Sequence, residues 1–308
     1  MNYLFFGDLH IIEKDLVECS TILQEITSMI KQYKVDKLII TGDTFDKLNP
    51  TPAEFDLFAS FIRDIKIPAI LLVANSHESI SKDESVLNHF GILNDTLAVV
   101  KNYIDENHLF VGHFIVNESK KNYGGSIPKK NLAKYKYVIL GHGHSFDEVR
   151  PNIIQLGSSR YVDFAEVNDK VKVVALAENY KEDKEKWHFI GLKTPILMKD
   201  IIVAKTENEA KKAFSASKAI AFLESCPERM KIRVCFQDFD SYYSIINDLE
   251  RFRAKFSLFR EKKDFLIAST NQFCISTETK TLKESLCNYL KEKKIDEKII
   301  NILMEEVK

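Results

Sequence analysis

The chain predicts an α/β fold of two packed sheets flanked by helices, followed by a small α+β unit and a helical tail. Three observations lead to it. Leu38-Ile39-Ile40 is a short β-branched run that stops at Thr41-Gly42-Asp43, the pattern of a strand buried on both faces that opens into a tight turn. Strands and helix-period segments alternate as far as Val73 and then give way to short strands without helices between them. The texture changes again around Thr194–Asp200, where the motif-bearing part of the chain ends.

With 308 residues, 45% of them hydrophobic, the chain is long enough for one large domain and a smaller one. A formal net charge of −1 means that any contact with nucleic acid has to come from a local basic surface. The five cysteines, Cys19, Cys226, Cys235, Cys274 and Cys287, are odd in number and lack metal-type spacing, so they read as reduced thiols of the cytosol. The amino terminus has no basic n-region and meets Asp8 early, so no signal peptide is expected. No apolar run approaches the roughly 20 residues that span a bilayer. The expectation is a soluble cytoplasmic protein that makes no membrane contact.

Tyr3 to Phe6 predicts the first strand, and Val17 to Tyr33 its crossover helix, with Ile22, Leu23, Ile26, Met29 and Ile30 at helical period. Pro52 opens the next helix, whose stripe is Phe55, Leu57, Phe58, Phe61 and Ile62. Further strands are expected at Ala69 to Val73, Ala98 to Val100, His108 to Val111, Tyr137 to Leu140, Ile153 to Leu156, Lys172 to Ala177 and Trp187 to Leu192. In the small unit Lys231 to Phe236 reads as a strand, Gln237 to Phe256 as a helix and Phe265 to Ala268 as a strand. Lys280 to Lys308 reads as two helices, with apolar stripes at Leu282, Leu286 and Leu290, then Ile299, Ile300, Leu303 and Val307. No internal repeat is present.

Five apolar segments end in short loops of one chemical character: Gly7-Asp8-Leu9-His10, Gly42-Asp43-Thr44-Phe45-Asp46, Asn75-Ser76-His77-Glu78, Gly112-His113 and Gly141-His142-Gly143-His144. Open α/β sheets build their sites at such strand ends. Five of the eight histidines lie in these loops, too many for isolated structural roles. Residues at alternate positions, Asp8 with His10 and His142 with His144, point to one side of an extended segment and so can grip one ion. Mixed carboxylate and imidazole ligation suits Mn, Fe or Zn rather than Ca or Mg.

In this order the loops resemble those of the calcineurin-like metallophosphoesterases, whose pattern is GDxH, GDxxD, GNH(D/E), GH and GHxH. Ile154-Gln155-Leu156-Gly157-Ser158-Ser159-Arg160, continuing to Asp163-Phe164-Ala165-Glu166, is similar to a segment of the SbcD-type branch, the recombination and repair DNA nucleases. The resemblance implies two divalent ions, with Mn2+ expected. Asp8, His10, Asp43 and His144 would hold one. Asp43 would bridge to the second, held also by His113, His142 and the residue at the motif's Asn position, here Ser76. His77 would protonate the leaving oxygen, and Asp46 would orient a ligand histidine. Ser76 is a poorer ligand than an amide carbonyl: the second ion is held more loosely, or Asn75 replaces the carbonyl, or the sequence is altered.

The implied organisation is a nuclease domain over 1–197, a DNA-binding cap over 198–272 and a segment over 273–308 that binds a coiled-coil ATPase of the SbcC type, in a homodimer within a heterotetramer. The implied activity is metal-dependent exonuclease or endonuclease hydrolysis of DNA. The competing readings are a protein phosphatase or nucleotide phosphodiesterase of the same superfamily, and an adaptor that keeps the fold without turnover. Lys120, Lys121, Lys129, Lys130, Lys134 and Lys136 form the expected DNA-facing surface; a solvated lysine-rich exterior is the plain alternative.

Overall fold

The computed structural model describes residues 1–74, 85–116, 126–127, 129–205, 213–256 and 258–263. The first half contains β1 (Tyr3–Phe6), α1 (Leu16–Gln32), β2 (Lys37–Ile40), α2 (Pro52–Asp64), β3 (Ala69–Leu72), β4 (Leu97–Val100), β5 (Tyr103–Asp105), β6 (Leu109–His113), β7 (Ile115–Val116) and β8 (Ser126–Ile127). It is followed by β9 (Tyr137–Gly141), β10 (Asp147–Arg150), β11 (Ile153–Gln155), β12 (Val173–Glu178) and β13 (Lys186–Gly191). Last come β14 (Met198–Val203), β15 (Ala213–Phe214), α3 (Ala216–Ser225), β16 (Lys231–Phe236), α4 (Phe239–Lys255) and β17 (Leu258–Lys263).

Two sheets form the body, as expected. One has the order β13-β12-β1-β2-β3-β4, the other β10-β11-β9-β6-β5. β1 to β4 run parallel, joined through α1 and α2, while β12 returns antiparallel to β1. In the second sheet β6, β9 and β11 are parallel. Strand alternation splits the buried side chains between two cores. Leu4, Phe6, Leu38, Ile40 and Leu71 face α1 and α2, whereas Tyr3, Phe5, Ile39 and Leu72 meet Leu109, Val111, Ile139 and Ile154 of the second sheet. This is why Leu38-Ile39-Ile40 carries no polar residue.

α2 starts where Pro52 predicts. Thr51 and Glu54 form a capping box, with Thr51 N donating to Glu54 Oε2 at 2.6 Å, and Glu54 Oε1 also accepts from Glu13 N at 2.7 Å. Phe45, in the turn after β2, packs its ring on Phe58 and Phe90 with centroids 5.8 and 6.0 Å away, so the loop bearing Asp43 and Asp46 is anchored in the core.

Met198 opens a separate four-stranded sheet, order β15-β14-β16-β17, whose described strands all pair parallel, with α3 and α4 as crossovers. β14, α3 and β17 are not among the sequence-based expectations. The predicted strand Phe265–Ala268 and the two tail helices lie outside the described residues. Cys19, Cys226 and Cys235 are buried. Among the described residues no helix is long and apolar enough to cross a membrane.

Candidate metal centre

Four of the five loops leave the carboxyl ends of parallel strands in the two facing sheets, and the backbone ties them together. Asp8 N donates to Gly42 O at 2.9 Å, His10 N to Asp43 O at 3.0 Å and Ile11 N to Thr44 O at 2.8 Å. Across the sheets, His142 N donates to Asp8 Oδ1 at 2.8 Å. The approach is close enough to demand glycine. A Cβ on Gly42 would stand 2.5 Å from His113 Nδ1, and one on Gly141 would stand 2.6 Å from Thr41 O.

The loop backbones are left-handed at four of the six candidate ligands among the described residues: φ is +48° at Asp8, +46° at His10, +44° at Asp43 and +81° at His142. Such values are uncommon away from glycine and cluster at functional sites, where surrounding bonds enforce them. They also correct the expectation drawn from alternate positions. The Asp8–His10 segment is not extended: both residues turn left-handed and still share a group. His142 and His144 part company instead.

Two groups result. Ligand atoms of Asp8, His10, Asp43 and His144 lie within 4.8 Å of one another, as do those of Asp43, His113 and His142, so Asp43 belongs to both. His10 Nε2 and His144 Nε2 are 3.1 Å apart, and Asp43 Oδ2 is 3.6 Å from His10 Nε2 and 3.1 Å from His113 Nε2. These memberships are those the resemblance assigns. The outer ring nitrogens settle which atoms face inward. His113 Nδ1 donates to Thr41 O at 2.8 Å and His144 Nδ1 donates to Glu166 Oε1 at 3.1 Å, which turns each Nε2 into the cluster.

The family model described as calcineurin-like phosphoesterase matches residues 1–214. The chain belongs to that family. Solved structures similar to this phosphoesterase include Yfce, a phosphoesterase from E. coli, at 14% identity and a TM-score of 0.32, covering 58% of this chain and 89% of that one. Another is the nuclease MPE of Pseudomonas putida, at 14% identity and a TM-score of 0.36, covering 57% of this chain and 83% of that one. No curated protein sequence matches the chain.

The residues of this phosphoesterase fit divalent cations. Asp8 Oδ2 and His113 Nε2 are buried and lack a well-formed hydrogen bond, although Asp43 Oδ2 stands 3.1 Å from the latter. Two buried polar atoms left so within one group are costly unless something else engages them. The electrostatics carry the same sign. Burial pushes the Asp8 carboxyl up, reinforced by Asp43 and opposed by His113, His144 and His10. Burial works against a charged His113, yet Asp43, Asp8 and the Thr41 carbonyl raise it to about 9. The carboxylates thus draw positive charge into this space. His142, half-open to solvent, is lowered by burial and by the His113 charge.

Asp46 Oδ1 stands 3.6 Å from His10 Nδ1, beside the ring it is expected to orient, with its side chain partly exposed. Ser76 and His77 lie outside the described residues, as do Lys120, Lys121 and the side chain of Lys129. Lys130 and Lys134 are exposed. Lys136 is exposed as well, and its Nζ donates to Glu185 Oε2 at 2.9 Å.

The outer layer contains residues that sequence reasoning assigned no role. Glu166 is buried, and besides His144 it accepts from Ser158 Oγ at 2.8 Å, Asp163 N at 2.8 Å and, through a short contact, Lys172 Nζ. Ser159 Oγ donates to Gly7 O at 2.7 Å, and Gln155 Nε2 donates to Gly141 O. The segment 155–166 therefore joins the first and last ligand loops. The motif resemblance there was the available signal; the roles were not readable from it. A cavity of about 390 Å³ opens over His10, Asp43, His142 and His144, with Asp163 and Glu166 on its wall.

Proposed function

We propose that this phosphoesterase cleaves phosphodiester bonds of DNA, as the nuclease subunit of an SbcCD-type nuclease–ATPase complex. The observation that carries the reading is the position of the segment Gly157 to Glu166. The residues that set the SbcD branch apart in sequence are built into the wall of the candidate centre, with Glu166 on His144 and Ser159 on Gly7. The four-stranded unit beginning at Met198 packs on the same segment, since Met198 shares a buried cluster with Tyr161 and Phe164.

Asp8, His10, Asp43 and His144 would hold one divalent ion and Asp43, His113 and His142 the other. A bound pair of such ions supplies Lewis acidity toward phosphoryl oxygens and water activation near neutral pH. This chain's own side chains do the rest. Asp43, almost fully buried, belongs to both groups and keeps them at a set separation. Glu166 keeps the proton of His144 on Nδ1, and Thr41 does the same for His113. The cavity above the imidazoles is large enough for a phosphodiester and its flanking sugars. His77 remains the proposed donor to the leaving oxygen. The coiled-coil ATPase, engaged through 273–308, is the proposed partner.

The test is substrate choice with Mn2+ present. Hydrolysis of linear DNA, with phosphoprotein and cyclic nucleotides spared, supports the reading. Hydrolysis of either alternative in preference to DNA overturns it in favour of a phosphatase or nucleotide phosphodiesterase. Open and end-blocked duplexes then separate exonuclease from endonuclease action.

A further inference from the structure

We infer that Lys231, in the first position of β16 of the small unit, is a positioning residue for the ligand loop Gly7–His10. The inference rests on the metal reading of that loop. Lys231 is 1% exposed. Its Nζ donates to Glu18 Oε2 at 2.6 Å and Tyr161 O at 2.9 Å, and lies 3.8 Å from Asp15 Oδ2. Glu18 and Asp15 in turn face Arg160, whose Nη1 is 2.7 Å from Asp15 Oδ2 and 3.5 Å from Glu18 Oε2. The remaining arms of Arg160 end on the loop itself: Nε donates to Leu9 O and Nη2 to His10 O, both at 2.6 Å.

Two acids and two bases make this buried cluster neutral. Removing one charged member leaves a buried charge uncompensated, which is far costlier than removing a surface charge. The guanidinium is planar, so its orientation toward the two carbonyls is set by the acids on its far side, and Lys231 sets where those acids stand. The loop it reaches is the one held left-handed at Asp8 and His10. A simple apolar contact would join the small unit to the body equally well, but it would not fix the direction of Arg160. The small unit thus contributes, through this cluster of four side chains, to the geometry of Asp8 and His10.

The test is a charge cycle on the full chain: K231M, E18Q and the double variant, which is neutral again. Mn2+ binding is followed by calorimetry, and amide hydrogen exchange is followed over residues 7–11. Each single variant should weaken the ion held by Asp8 and His10 by about tenfold, the scale for losing an outer hydrogen-bond partner. It should leave the His113–His142 ion much less affected and speed exchange at residues 7–11. The double variant should recover most of both. General destabilisation would weaken both ions alike and would not be rescued. Unchanged binding and exchange in K231M, or a double variant no better than the singles, overturns the inference. If K231M does not fold, E18Q decides on the same two readouts. A wild-type protein that binds no Mn2+ overturns the metal reading instead, and exchange at residues 7–11 still decides the positioning role.

Discussion

Glu166 accepts the Nδ1 proton of His144 at 3.1 Å, and so determines which nitrogen of that ring faces the metal group. Burial opposes charge on Glu166, but His144 and Lys172 hold its carboxyl down to about 2, so it is ionised under all ordinary conditions. Glu166→Gln should therefore leave His144 free to turn or change tautomer. The expected outcome is a loss of metal affinity of about 10–100-fold, read by calorimetry with Mn2+. Affinity equal to wild type would show that Ser158 and the backbone suffice to hold the ring.

Asp43 and His113 make a contrasting pair, since Asp43 lies in both groups and His113 in one. Asp43→Ala should abolish Mn2+-dependent hydrolysis and lower binding at both positions. His113→Ala should leave one ion per chain. Metal content by atomic emission, beside circular dichroism to confirm the fold, separates these outcomes. Two ions retained by either variant would break the assignment.

Gly42 has φ +108°, and a methyl there would meet the His113 ring at 2.5 Å from Nδ1. Gly42→Ala carries both backbone strain and a clash, and should cost about 1–3 kcal/mol from the strain alone. Because His113 must yield, Mn2+ affinity should fall as well. Denaturant unfolding and metal titration of the same sample check both effects; a purely additive loss of stability without loss of affinity would show that His113 is displaced harmlessly.

Asp105 accepts from Tyr180 Oη at 2.9 Å and Lys181 Nζ at 2.7 Å. Although partial burial raises its pKa, these partners lower it more, so the folded-state value sits below the ordinary carboxylate range. A group depressed on folding stabilises the fold above its unfolded pKa, about 3.9, and that stabilisation is lost as pH falls through the folded value. Asp105→Asn should accordingly lower the melting temperature modestly near neutrality, where the ionised Asp105 stabilises the fold, change it little in strong acid, and so flatten the acid limb below about pH 4. An unaltered acid limb would assign it to other carboxylates.

The two-sheet body and the ligand loops were legible because their signals are local. Leu38-Ile39-Ile40 followed by Gly42-Asp43 states burial, strand and turn within a few residues. α1 and α2 were visible in their helical stripes and in Pro52. The small unit was less so: Ile201 and Val203 of β14 and Ala219 and Leu223 of α3 are buried against one another and β16 rather than standing out in a strong pattern of their own. Lys136 shows the same limit, since its ion-pair partner Glu185 lies 49 residues further on.

What the sequence alone determined is the chemistry available: which side chains can ligate, and that they stand at strand ends. Loop composition is enough for that, because a residue type carries its ligand atoms wherever it is placed. What only the tertiary structure decided is how those atoms are aimed and what holds them there; their division between two ions was implied by the family resemblance and not by spacing. The backbone is left-handed at Asp8, His10, Asp43 and His142, and His142 and His144 stand in different groups; no spacing rule contains either fact. The bonds that hold the aim join residues far apart in sequence, Glu166 to His144 by 22 positions, Arg160 to Leu9 by 151 and Lys231 to Glu18 by 213. Such partners are chosen by packing of the two sheets and the small unit, because a buried charge must find its counterpart in space rather than along the chain.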